Sequence, residues 1–118
     1  VVLEYPDLVP PEPNPDGCAR AFPLFPGDAA YLAPYERELN GVIAAAARAA
    51  GALVVNPNRP GAPYSFLGHS ACSGSPWLHG LVSNSSRPQD LKYSFHPMAV
   101  GQHEMAVAIE AQGGTAGL

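Results

Sequence analysis

Among the residues able to do chemistry, the four histidines come first: His69, His79, His96 and His103. His96 stands in the run Tyr93–Pro97, after an irregular stretch and directly before a proline suited to the first turn of a helix. A general base needs an imidazole held at a fixed orientation at the edge of a cleft, and a loop ahead of a terminal helix in an open α/β sheet provides this. The sequence therefore predicts His96 as a general base, with a histidine that caps its own helix as the alternative.

The other histidines have simpler interpretations. His103 lies inside the predicted last helix and is expected to face solvent, and His79 is expected to be a loop residue. No two histidines have the spacing of four residues that places both on one side of a helix, and the two cysteines do not form a Cys-x-x-Cys motif. The sequence therefore predicts neither a metal site nor a cofactor.

A serine is the second candidate for chemistry. Ser70 lies in the run Gly68–Cys72, which begins like the nucleophile elbow Gly-x-Ser-x-Gly. The fifth residue of the run is Cys rather than Gly, and the residues that follow, Ser73–Pro76, do not predict the helix that packs behind such a turn. The pattern argues against Ser70 as a nucleophile.

The hydrophobic pattern predicts strand, helix, strand for the first half of the chain. Val1–Tyr5 is a short apolar strand stopped by Pro6, and Ala52–Asn56 is a second one. Between them, Asp28 caps a helix that ends at Gly51. Because a helix joining two strands of one sheet makes a parallel, right-handed crossover, the predicted fold class is α/β.

Apolar residues of the first helix recur at spacings of three and four, which predicts the face that packs on the sheet. They are Tyr31, Leu32, Tyr35, Leu39, Val42, Ile43 and Ala46. Pro34 leaves two possibilities: the regular helix begins near Pro34 after a looser turn from Asp28, or it has a kink at Pro34. The last helix is predicted to begin at His96-Pro97 and to run for about four turns.

Long irregular stretches connect these elements. The chain has 14 Pro and 12 Gly, and residues 6–27 and 57–93 contain most of the prolines. Such segments sustain neither a helix nor a central strand. Residues 57–93 are too long for a plain connection, which predicts a functional loop with short turns of its own.

Composition and charge exclude several classes of protein. A chain of 118 residues that is 47% hydrophobic and 14% charged has room for one domain with a core. Six Lys and Arg against ten Asp and Glu leave a net charge of −4, which gives no basic footprint for nucleic acid or anionic lipid. The apolar run Gly41–Val55 is too short and too polar to span a bilayer.

Two cysteines, Cys18 and Cys72, both lie in irregular stretches. A pair of this kind suits a secreted protein in which a disulfide closes a long loop. We therefore expect a Cys18–Cys72 disulfide and an extracellular location, with two unpaired thiols as the alternative.

The two ends of the sequence have different characters. It opens directly on an apolar strand, without Met or a signal peptide, whereas residues 113–118 are small and predict a flexible tail. We therefore expect a fragment or one chain of a processed protein. Its exposed strand edge and helix faces are then expected to associate with a partner chain or with a second copy.

Three runs together resemble the SGNH, or GDSL-like, hydrolases. Tyr93–Gln102 is similar to the last conserved block of that family, in which the histidine before proline is the catalytic base. Gly68–Cys72 and Pro76–Gly80 are similar to the cysteine and tryptophan loop of secreted bacterial members, and the dipeptide Tyr5-Pro6 fits the same group. The resemblance covers nearly the whole chain, but only the C-terminal half of such an enzyme.

The resemblance implies a fold and an activity. The fold is a flavodoxin-like three-layer parallel sheet, with residues 1–112 as the C-terminal part of one hydrolase domain and 113–118 as the tail. The activity is that of a serine ester hydrolase, an esterase or lipase acting on a small acyl ester or a lipid. Trp77 is then expected to line the pocket for the acyl or leaving group, with a core or loop anchor as the alternative.

The family's nucleophile block, Gly-Asp-Ser, is absent from this sequence, as are the Gly and Asn blocks of the oxyanion hole. The run Gly27-Asp28-Ala29 has Ala where the serine belongs, so Asp28 is interpreted as a helix cap. The resemblance therefore implies that the nucleophile lies on the N-terminal half of the same enzyme, which is the expected partner of this chain. The alternative is a noncatalytic fragment or binding module that retains the α/β scaffold.

The position three residues before the histidine, often Asp in the family, is Tyr93 here. Some secreted members are similar in this respect and orient the histidine with a main-chain carbonyl instead. The resemblance implies that the carbonyl of Tyr93, or that of Ser94, accepts the Nδ1 proton of His96, with the Asp90 carboxylate as an alternative.

Overall fold

The computed structural model describes residues 1–9, 28–82 and 88–114. Cys18, the rest of the stretch 10–27 and the last four residues of the predicted tail lie outside the described residues. In the described part, the order of elements is strand, helix, strand, a short 3-10 helix and a second helix.

A two-stranded parallel sheet joins β1 (Val2–Leu3) to β2 (Val54–Val55), residue for residue. The strands are shorter than predicted because the backbone beyond them turns to other partners. The Glu4 N–H still donates to the Val55 carbonyl at 2.9 Å, but beyond it the Asn40 side chain binds the N–H and the carbonyl of Tyr5, at 2.6 and 2.9 Å. The parallel order agrees with the prediction, but two strands do not define a three-layer sheet, so the flavodoxin-like fold stays a prediction.

The first helix, α1 (Asp28–Ala49), ends as predicted at Gly51. Gly51 has φ +70°, a left-handed conformation that glycine adopts without a steric cost. The N–H groups of Gly51 and Ala52 donate back to the carbonyls of Arg48 and Ala47 at 3.0 and 2.9 Å. These two bonds satisfy carbonyls that the helix leaves unpaired and turn the chain towards β2.

The face that α1 buries differs from the prediction. Its described buried residues are Ala33, Ala44 and Ala47. Of the large members of the predicted stripe, Ile43 is half-buried and the others are exposed: Tyr31, Leu32, Tyr35, Leu39 and Val42. Small alanine side chains allow the helix backbone to approach the short sheet closely, so the alanine face packs inward. The regular helix includes Pro34 and begins at Asp28.

The second helix, α2 (Ala99–Gly113), begins two residues later than predicted. An antiparallel bridge pairs Leu78 with Pro97, and the Met98 N–H donates to the Trp77 carbonyl at 2.9 Å. These contacts keep the chain extended through Met98, so the helix starts only after it. We call the antiparallel pairing of residues 77–80 with residues 95–98 the loop bridge.

Gly101 fixes how closely α2 approaches the loop bridge. It is buried in the first turn of α2, and a Cβ atom at this position would overlap the carbonyl oxygen of Trp77. The helix can therefore pack on the loop bridge only with glycine at this position. At the other end, the Gln112 side chain donates to the Asn56 carbonyl at 2.6 Å and accepts from the Asn56 N–H at 3.0 Å, which holds α2 against the end of β2.

Two clusters of buried residues form the described core. One surrounds Phe66 and Leu78, with Trp77, Phe95 and Met105 packed against it. The second surrounds Val55, Tyr64 and Ala108 between the sheet and α2. The irregular stretch after β2 thus supplies much of the core, because Tyr64, Phe66 and Leu78 all come from it.

Candidate functional site

His96 lies on the wall of a cavity of about 460 Å³. One wall is the chain that leaves β1, Leu3 to Pro6, and the other is Ser94 to Pro97, with Met105 of α2 at the side. Loops at the carboxyl ends of parallel strands are where α/β folds bind ligands. The side chain of His96 is exposed, so a molecule in the cavity can reach it.

The main chain around His96 is fixed on both sides. The His96 N–H donates to the Tyr93 carbonyl at 3.0 Å, and the His96 carbonyl accepts from the His79 N–H at 2.9 Å. Phe95, directly before it, has φ +64°, a left-handed conformation that costs a bulky side chain free energy. The loop bridge and the half-buried Phe95 ring, which packs on the core, hold that conformation and so set where His96 stands.

The two predicted carbonyl partners of His96 lie close to it in the chain. The Tyr93 carbonyl accepts the main-chain N–H of His96, and a carbonyl oxygen has a second lone pair for a further donor. The Ser94 hydroxyl accepts the Val82 N–H at 3.0 Å. Within the described part of the chain neither ring nitrogen of His96 has a hydrogen bond, so its orientation by a carbonyl, or by the Asp90 carboxylate, stays a prediction.

Glu4 lines the same cavity and was not singled out by the sequence reasoning. Burial raises the pKa of its carboxyl group, and the Arg48 guanidinium opposes that effect. A signal was present in the sequence, since Glu4 is the charged residue of the predicted strand Val1–Tyr5 and lies near its carboxyl end. The cavity thus combines an imidazole, a carboxyl group and the apolar side chains of Leu3 and Met105.

Trp77 is half-buried, packs against the core cluster around Phe66 and does not line the His96 cavity. Its ring stacks on His69 with centroids 3.9 Å apart and planes 4° from parallel, and it meets Phe66 edge-on at 5.3 Å. Nδ1 of His69 lies 2.8 Å from the Ser75 carbonyl, which fixes the imidazole over the indole. This placement agrees with the core anchor that was the alternative interpretation of Trp77, and its predicted contact with substrate stays a prediction.

The structure describes Ser70 and Cys72 but not Cys18. Ser70 is buried, with 1% of its surface exposed, and no helix follows it directly. Cys72 is buried and is not a free thiol. Because Cys18 lies outside the described residues, the Cys18–Cys72 disulfide stays a prediction.

The pair of carboxyl groups of Asp7 and Glu36 was missed entirely. Both oxygens of Glu36, on α1, accept main-chain N–H groups of Leu8 and Val9 at 3.1 to 3.2 Å. Asp7 is buried beside them, and its Oδ2 atom has no hydrogen-bond partner. Burial raises the pKa of Asp7 to about 6 and that of Glu36 to about 7, and the negative charge of Asp7 adds to the rise at Glu36, while Arg37 opposes both.

We expect this pair to make the protein less stable as the pH rises. The raised native pKa values lie above those of an unfolded chain, so the folded state binds the protons more tightly. The contribution is complete near pH 4 and is lost as the pH rises through about 6 and 7. Thermal unfolding at pH 5, 6, 7 and 8 should show the midpoint falling by several degrees across this range.

Asp7→Asn should flatten this slope, because the amide cannot ionise. Glu38→Gln is the matched control. Glu38 is exposed on α1, the helix that carries Glu36, so this substitution should leave the slope unchanged. A slope that is identical in the wild type and in Asp7→Asn would contradict a role for this pair.

Within residues 1–9, 28–82 and 88–114, no group of three or more His, Cys, Asp or Glu side chains is arranged to hold a metal ion. No helix of that part is both long enough and apolar enough to cross a membrane. No family model, curated protein or solved structure matches this chain. The interpretation of the site therefore depends on its residues and their geometry.

Proposed function

We propose that this chain is the C-terminal part of a secreted serine ester hydrolase of the SGNH type, with His96 as its general base. One observation carries the proposal: an exposed histidine, held by a fixed main chain, lines a cavity at the carboxyl end of β1. A volume of about 460 Å³ lies within the range of small-molecule sites.

The first step assigned to His96 is the transfer of a proton from the serine. A serine hydroxyl from the N-terminal segment attacks the ester carbonyl carbon while Nε2 of His96 accepts the hydroxyl proton. The tetrahedral intermediate then collapses, the bond to the leaving oxygen breaks, and His96 returns the proton to that oxygen, which releases the alcohol. Water repeats the sequence on the acyl-serine, which releases the carboxylic acid and restores the serine.

The surroundings of His96 support two further roles. The carbonyl of Tyr93 or Ser94 would accept the Nδ1 proton and so keep Nε2 free to act as the base. The apolar side chains of Leu3, Phe95 and Met105 line the cavity and suit the acyl chain of a small ester or lipid. Together these roles need neither a metal nor an organic cofactor.

The experiment is an ester assay on the chain alone and on the same chain joined to the segment encoded before Val1. With p-nitrophenyl butyrate, we expect turnover only by the joined protein. A fluorophosphonate, which labels activated serines, should then modify a serine on the added segment and stop turnover. A folded joined protein without esterase activity would contradict the proposal and leave the noncatalytic module.

A further inference from the structure

The exposed side of α1 has the spacing of a helix-pairing surface. Its apolar residues recur at alternating intervals of three and four, the pattern by which two helices interlock side chains. They are Leu32, Tyr35, Leu39, Val42 and Ala46, which we call the α1 seam. All five are exposed, and the four large ones range from 38% for Leu32 to 61% for Val42. Large apolar residues at this spacing and exposure point to a helix as the missing neighbour.

We infer that the α1 seam binds the α1 seam of a second copy of this chain, with the two helices antiparallel. The first half of the exposed side is bulky, with Tyr31 and Tyr35 in contact at 5.2 Å between ring centroids. The second half is small, with Ala46 and the exposed Ala49 and Ala50. An antiparallel two-fold arrangement places the bulky half of each copy on the small half of the other, so the surface is complementary to itself.

The area of the surface agrees with a weak dimer. The seam and Tyr31 together expose roughly 500 Å² per copy, on the order of two or three aromatic side chains. Two copies would then bury roughly 1,000 Å², near the lower limit for a specific interface. We therefore expect a dimer with a dissociation constant in the micromolar range, about what small interfaces of this type give. This inference concerns assembly and is independent of the proposed ester hydrolysis.

Sedimentation velocity of the 118-residue chain, from about 1 to 200 µM, tests the inference. We expect the wild type to change from monomer to dimer across this range. Leu39→Lys should weaken dimerisation by at least tenfold, because it places a charge in the centre of the seam. Leu67→Lys is the matched control, since Leu67 has a similar exposure, 41% against 46%, outside the seam. It should stay within about twofold of the wild type.

A cross-linking experiment tests the orientation. In the antiparallel pair Tyr35 of one copy faces Ala46 of the other, so a mixture of the Tyr35→Cys and Ala46→Cys variants should form a mixed disulfide on mild oxidation. Each variant alone should not. A monomer at 200 µM, a dimer that survives both Leu39→Lys and Val42→Lys, or efficient cross-linking of Tyr35→Cys to itself would each overturn the inference.

Discussion

Replacing His96 with alanine in the joined protein should reduce ester turnover by at least about 10³-fold, the scale of loss when the general base of a serine hydrolase is removed. The reason is that His96 is the only histidine among the described residues that line the cavity, so no other imidazole there can accept the proton. Since His96 is exposed, the substitution leaves no buried void and the fold should be unchanged. The decrease should appear in kcat, measured with p-nitrophenyl butyrate, because proton transfer is part of the chemical step.

His103→Ala is the matched control for this experiment. His103 is an exposed histidine on α2 that does not line the cavity. The variant should retain turnover within about twofold, the range of a surface substitution without a special role. Equal losses from both histidines would contradict the assignment of His96, and so would full activity of His96→Ala. Unchanged thermal unfolding of the two variants would show that the comparison concerns chemistry.

Gly101→Ala should destabilise the protein by about 2 to 4 kcal/mol, the range for forced overpacking of a buried site. The added methyl group would overlap the Trp77 carbonyl oxygen, which is backbone and cannot swing away. Either α2 moves outward or the loop bridge separates, and both changes weaken the hydrogen bond from Met98 to Trp77. Thermal unfolding should therefore shift down by about 10 °C.

The same substitution at Gly41 should raise the stability of the protein instead of lowering it. Gly41 is exposed in the interior of α1, and an added Cβ meets nothing within 4 Å. Alanine there should stabilise the helix by up to about 1 kcal/mol, the difference in helix propensity between the two residues. Melting curves recorded at low micromolar concentration compare the two variants as monomers. Similar shifts for Gly101→Ala and Gly41→Ala would show that the contact with Trp77 does not limit packing.

The parts of the fold that depend on local sequence were predictable. The helix stop at Gly51 needs only a glycine in the left-handed conformation, and the order of strand, helix and strand follows from short apolar runs. The orientation of α1 was not predictable in this way. A helix with alanines on one side and larger apolar residues on the next presents two candidate faces, and spacing alone does not say which one the sheet accepts.

The candidate site was predicted only where the chain itself brings residues together. His96 was found because it precedes Pro97, and its cavity lies where loops after parallel strands meet. The start of α2 was wrong because Met98 bonds to Trp77, a partner far away in sequence. Glu36 was missed for the same reason. Its carboxylate accepts the N–H groups of Leu8 and Val9, which lie 28 and 27 positions away in sequence.

The pairing of β1 with a part of the chain far away in sequence has a kinetic consequence. Asn58 donates to the Tyr5 carbonyl across 53 positions, and closing so long a loop costs chain entropy before any contact forms. Folding should therefore be slow for a chain of this size, with β1 docking late. Leu3 to Pro6 form one wall of the cavity. The cavity therefore exists only while the first six residues stay docked on the rest of the protein. Each detachment of β1 would open the site to water from the side.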